Sequence, residues 1–142
     1  MIEITFEKST VRFHIEDLSS FKRKAFAWSN QFDVVSYLDS NNYQNDSYGK
    51  YEALLAVGVE SEILPSTNSF EELKGFHEEK KDWLFGFLSY DLKNEIEDLE
   101  SNNFDGINLP HLHFFQPKIV IEFFQKEIKI HSKEENLSLI HI

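Results

Sequence analysis

Three groups of side chains in this chain have the types and spacing to do chemistry. His111 and His113 are separated by one residue on a stretch that reads as a strand, so alternation sends both imidazoles to one face. Two imidazoles so placed can ligate zinc or copper. No third ligand follows nearby and Asp105 lies across a turn, so the pair is read as two ordinary surface or interface histidines. Glu95, Glu97, Asp98 and Glu100 form the second group. Carboxylates that act as acid or base need walls that shift their pKa values. These four project from the polar side of a short helix, and a solvated acidic face is the reading taken. The third group is Leu38-Asp39-Ser40 followed by Tyr48-Gly49-Lys50-Tyr51. It reads as a strand ending in a hydroxyl, a loop, and a second strand entered by two aromatics bracketing a cation. Such a loop can hold an amino acid, with Ser40 and backbone groups on its polar end and Tyr48 on its side chain. The same residues also read as a polar loop laid over two core strands. No G-x-S-x-G, Walker or dinucleotide glycine pattern occurs, and without cysteine there is no thiol nucleophile.

The composition narrows the classes further. At 142 residues the chain suits one domain, large enough to bury about 70% of its unfolded surface. Its core is expected to be rich in aromatics, with 14 Phe against 1 Met. The absence of Cys excludes a disulfide framework and thiolate metal sites, and is compatible with a reducing cytoplasm. No basic-then-apolar segment with a small-residue cleavage site opens the sequence, so no secretory signal is expected. No run approaches the roughly 18 apolar residues that span a bilayer. A formal net charge of -11 repels phosphate backbones and anionic lipid, which argues against nucleic-acid and membrane partners.

The elements that must position these groups follow from periodicity. Ile2, Ile4 and Phe6, then Val11, Phe13 and Ile15, alternate with polar residues and predict a hairpin turning at Lys8-Ser9-Thr10. Phe21, Ala25 and Trp28 have helical spacing, with Ser19 or Ser20 as N-cap, although Lys22, Arg23 and Lys24 oppose the helix dipole. Residues 32–38 and 51–59 predict strands around a polar loop at 41–49. Ser69 with Glu72 has the form of a capping box, and Phe70, Leu73 and His77 continue that helix. Trp83 to Ser89 is apolar on both faces and predicts a central strand, with Gly86 admitting close approach of another backbone. Asp91 is placed as the cap of a helix carrying Leu92, Ile96 and Leu99, and residues 119–124 and 127–131 form a hairpin across Gln125-Lys126. The fold class expected is α+β, mainly antiparallel sheet with a few short helices, in a single domain spanning 1–142.

The stretch from Asp82 to Pro117 carries a further signal. An apolar strand leads through Gly86-Phe87-Leu88-Ser89-Tyr90-Asp91 into a short acidic helix, and Leu109-Pro110 then opens another aromatic strand. That order resembles the N-terminal domain of the chorismate-utilising synthases, the anthranilate synthase component I family. Within that family it is most similar to the aminodeoxychorismate (para-aminobenzoate) synthase branch. Ser89 departs from the family pattern by replacing its second glycine. The resemblance implies the N-terminal half of that fold, non-catalytic by itself, with a C-terminal catalytic domain lying beyond Ile142. It implies chorismate amination towards para-aminobenzoate and folate, in the cytoplasm, with ammonia from a glutamine amidotransferase component. No cofactor is expected in this chain, and magnesium is expected in the catalytic domain. It further implies a tryptophan pocket at Leu38, Ser40, Tyr48, Lys50 and Tyr51, where Lys50 and Ser47 stand in place of the family's frequent Arg and Pro. Tyr90 and Asp91 are implied to be structural. Two alternatives stay open: a regulatory domain of anthranilate synthase component I, and a free-standing interaction module without catalysis. A domain shaped to pack on a partner is also expected to self-associate when alone.

Overall fold

The computed structural model describes residues 8–43, 45, 47–100, 102–133, 136 and 140. It is an α+β fold on a mainly antiparallel six-stranded sheet, as the alternating runs predict. The strands are β1 (Lys8–His14), β2 (Val35–Asp39), β3 (Ala53–Ile63), β4 (Phe85–Leu88), β5 (Leu112–Phe123) and β6 (Glu127–Lys133). Their order is β1-β6-β5-β3-β2, with β4 paired to β5 off that path. The helices are α1 (Leu18–Ser29), α2 (Ser69–Lys80) and α3 (Lys93–Glu97). The chain divides into two compact units, Met1–Gly58 with Lys118–Ile142, and Val59–Pro117.

In the first unit the core is built from Leu55, Val57, Ile119, Ile121, Phe123, Ile128 and Ile130, with Ala25 of α1 buried among them. The period of two puts Ile119, Ile121 and Phe123 on one face of β5, opposite Ser132, Ile130 and Ile128 of β6. Phe21 of α1 meets the Phe123 ring at 5.8 Å. The hairpin across Gln125-Lys126 forms as expected, closed by Phe124 N–H donating to the Glu127 carbonyl at 2.8 Å. The N-terminal hairpin does not turn at Lys8-Ser9-Thr10. Those three residues lie within β1, which pairs antiparallel with β6, and the run through Ile2, Ile4 and Phe6 lies outside the described residues. The α1 cap is Asp17, whose carboxylate accepts from Ser20 N–H, in place of Ser19 or Ser20.

In the second unit Phe76, Phe85, Leu92, Leu112 and Phe115 are buried. The capping box of α2 is not made: Asn68 is the N-cap in the left-handed region, without a side-chain cap bond. Ser69 N–H instead donates to the Glu95 carboxylate at 3.3 Å, a negative charge set at the positive end of the helix. The expected central strand at Trp83 to Ser89 is shorter and lies at an edge. Only Phe85–Leu88 are extended, β5 is their only strand partner among the described residues, and Phe87 and Leu88 are exposed. Side-chain hydrophobicity reports burial of rings and says nothing of which backbone edge finds a partner. Gly86 does take the close approach its position implies, against the backbone of His113 and Phe114. Asp91 is not a helix cap, because Tyr90–Leu92 is a 3-10 turn and α3 begins only at Lys93. Leu99 falls beyond α3, and Ile96 and Leu99 are both exposed.

Candidate functional site

The loop between β2 and β3 in the first unit builds the candidate site. The two strands pair antiparallel, Leu38 opposite Leu54 and Asp39 opposite Ala53. Ser40 N–H donates to the Glu52 carbonyl at 3.0 Å and closes the base of the loop. Asn41 and Asn42 turn the chain out of β2 with φ of 52° and 61°, the left-handed conformation asparagine tolerates. Asp39 supports that turn by accepting from Asn41 N–H at 2.8 Å. Tyr51 returns to the sheet with its ring 5.7 Å from Phe124, and the Lys50 ammonium lies 5.4 Å from the Tyr51 ring centre.

All five residues singled out from the sequence, Leu38, Ser40, Tyr48, Lys50 and Tyr51, line one open cavity of about 320 Å³. A second cavity of about 320 Å³ shares Ser40, Lys50 and Tyr51 and adds Asn42, Tyr43 and Glu52. The Ser40 hydroxyl is buried and makes no hydrogen bond among the described residues. A buried hydroxyl without a partner costs about 1–3 kcal/mol, so a ligand that supplies one is favoured there. The first cavity has an apolar side at Leu38 and Leu54 and a cation at Lys50, and the second, which shares Lys50, adds the acidic Glu52. Those are the groups an amino acid needs for its side chain and its two charged ends. Tyr48 is 93% exposed and stands at the cavity rim. Glu52 was not singled out from the sequence, since only the closure of the loop sets it opposite Ser40, whose N–H its carbonyl accepts.

The other groups resolve into separate pairs. His113 Nε2 contacts Glu62 at 2.7 Å, and His111 Nδ1 contacts Glu95 at 3.3 Å. Among the described residues there is no cluster of three or more potential ligands that could hold a metal ion. Glu97, Asp98 and Glu100 are exposed, as a solvated face requires. Glu95 is not part of that face. Its side chain is only 16% exposed, and hydrogen bonding from Ser69 holds its carboxyl below the usual range against the opposing effect of burial, with His111 adding to the lowering. No helix is long and apolar enough to cross a membrane among the described residues. No protein-family model matches this chain, and no curated protein matches it significantly.

Proposed function

We propose that this chain is the non-catalytic N-terminal domain of a chorismate-utilising synthase of the aminodeoxychorismate type, with an amino-acid site at the β2–β3 loop. The observation that supports this reading best is the convergence of Leu38, Ser40, Tyr48, Lys50 and Tyr51 on one cavity around a buried hydroxyl that has no partner among the described residues. The strand, acidic helix and Leu-Pro order of residues 82–117 supports it independently. On this reading chorismate amination in the cytoplasm belongs to a catalytic half that binds magnesium and receives ammonia from a glutamine amidotransferase component. This chain packs on that half and binds a tryptophan-like ligand. A regulatory domain of anthranilate synthase would use the same five residues, and production of anthranilate in place of aminodeoxychorismate by the assembled enzyme separates the two.

Titration with tryptophan tests the site. Backbone amide shifts confined to residues 38–51 are expected, with a dissociation constant near 1 mM, about 4 kcal/mol, because the cavity is open on one side. Ser40→Ala is expected to weaken binding about fivefold, the worth of one hydrogen bond, and Tyr48→Ala by less. If tryptophan leaves residues 38–51 unperturbed in this chain and in its complex with the catalytic half, the proposed site does not exist.

A partner of a different class, with no catalysis, is favoured by one observation: the second unit exposes Tyr90, Phe104, Ile107 and Leu109 by 82%, 97%, 78% and 53%. Whichever partner covers these side chains, the chain alone is expected to self-associate through them. Its net charge of -11 opposes association at low salt, so the dimer should strengthen as salt shortens the screening length to about 10 Å at 0.1 M. Sedimentation equilibrium across a salt series reads this directly, and a monomer at every salt concentration would remove the need for a partner.

A further inference from the structure

A different cavity, on the α1 side of β2, has a chemistry that the amino-acid site does not use. It holds about 340 Å³ and is bounded by Lys22, Arg23 and Phe26 of α1, Tyr37 and Asp39 of β2, and Asn42 beyond the turn. Helical spacing brings Lys22 and Phe26 to one side of α1, and alternation brings Tyr37 and Asp39 to one face of β2. Asp39 is fully engaged there. The Lys22 ammonium lies 2.9 and 3.0 Å from its two oxygens, the Tyr37 hydroxyl donates at 2.7 Å, and Asn41 N–H donates at 2.8 Å. Burial raises the Asp39 carboxyl, but these donors outweigh it and leave the group below the usual range. The Tyr37 hydroxyl moves up, through burial and the adjacent carboxylate.

The consequence is electrostatic. The single carboxylate on the cavity wall is neutralised by Lys22, so the remaining charge is the Arg23 guanidinium. Arg23 is exposed and has no ion-pair or hydrogen-bond partner among the described residues. Beside it the Phe26 ring is 51% exposed and is braced by Tyr37 at a centroid distance of 5.3 Å. A free guanidinium matches a carboxylate with two parallel N–H donors, and an exposed ring edge or face matches another planar ring. A cationic pocket is also the unusual feature in a chain of net charge -11. We infer that this cavity binds a small aromatic carboxylate, its anion on Arg23 and its ring against Phe26. The Lys22–Asp39–Tyr37 network acts as a fixed wall that holds α1 against β2.

The test is an amide-shift titration of the full chain with benzoate, cyclohexanecarboxylate and acetate in parallel. Benzoate is expected to shift residues 19–26 and 37–42 with a dissociation constant of about 1 mM, and acetate to leave them unmoved at the same concentration. Cyclohexanecarboxylate, equal in charge but not planar, is expected to bind more weakly than benzoate. Arg23→Gln should weaken benzoate about tenfold, the worth of a charge-assisted hydrogen bond, without moving the thermal midpoint. Phe26→Leu should bring benzoate and cyclohexanecarboxylate to the same affinity. Equal response to benzoate and acetate, unchanged benzoate binding by the Arg23 variant, or shifts confined to residues 48–54 would each overturn the inference. Residues 19–26 respond to benzoate alone and residues 48–51 to tryptophan alone, so the two sites succeed or fail separately.

Discussion

Gly86→Ala is expected to disrupt the β4–β5 pairing and to destabilise the second unit by about 3 kcal/mol or more. A Cβ built on Gly86 would stand 1.9 Å from the His113 carbonyl oxygen and 2.7 Å from the Phe114 Cα. Both obstacles are backbone, so no side-chain rotation can relieve them, and the strands must separate. β4 has four residues and β5 as its only strand partner among the described residues, so little else holds it in place. Gly75→Ala is the matched control. It lies inside α2 with nothing within 4 Å of the added methyl, and it should stabilise by about 1 kcal/mol through helix propensity. Thermal unfolding with amide exchange at residues 85–88 and 112–115 measures both. If the two variants unfold alike and β4 stays protected, the close approach at Gly86 is not a constraint.

His131→Leu is expected to cost about 3–5 kcal/mol, because it leaves a buried carboxylate without its partner. The Glu122 side chain is 8% exposed, and its Oε2 lies 2.5 Å from His131 Nε2. On its far side His131 Nδ1 lies 2.9 Å from the Thr10 hydroxyl, so the imidazole bridges three adjacent strands, β1, β6 and β5. Glu122→Leu combined with His131→Leu removes both halves of the pair and should recover most of the loss, since a buried polar pair gives little net stability over apolar residues of similar volume. A double-mutant cycle by urea denaturation decides this. Additive effects would mean that the imidazole supports the sheet by packing alone. Thr10→Ala, on the exposed end of the bridge, should cost no more than about 1 kcal/mol.

The elements that carry their own period were legible in the amino-acid sequence. Ile119, Ile121 and Phe123 alternate, as do Ile128 and Ile130, and a two-residue connection leaves such runs no better partner than each other. Phe21, Ala25 and Trp28 set α1 by the same logic, and the antiparallel α+β class follows from the short connections. That residues at the facing ends of β2 and β3 come together was also legible, because one loop joins two strands that pair antiparallel. What depended on tertiary structure was every choice between partners. Val11 and Phe13 declare a strand but do not say whether it pairs with its predecessor or with β6, which lies far away in sequence. Ser69 and Glu72 have the spacing of a capping box, yet a carboxylate from α3 reaches the Ser69 N–H instead. The apolar residues of β4 declare burial on both faces, while its edge position is set by the backbone partners that the fold supplies or withholds. Lys22 looked misplaced in the first turn of α1 until the fold brought Asp39 within 2.9 Å. Periodicity is local and survives in one dimension, whereas a hydrogen bond or ion pair between distant residues exists only once the chain has closed on itself.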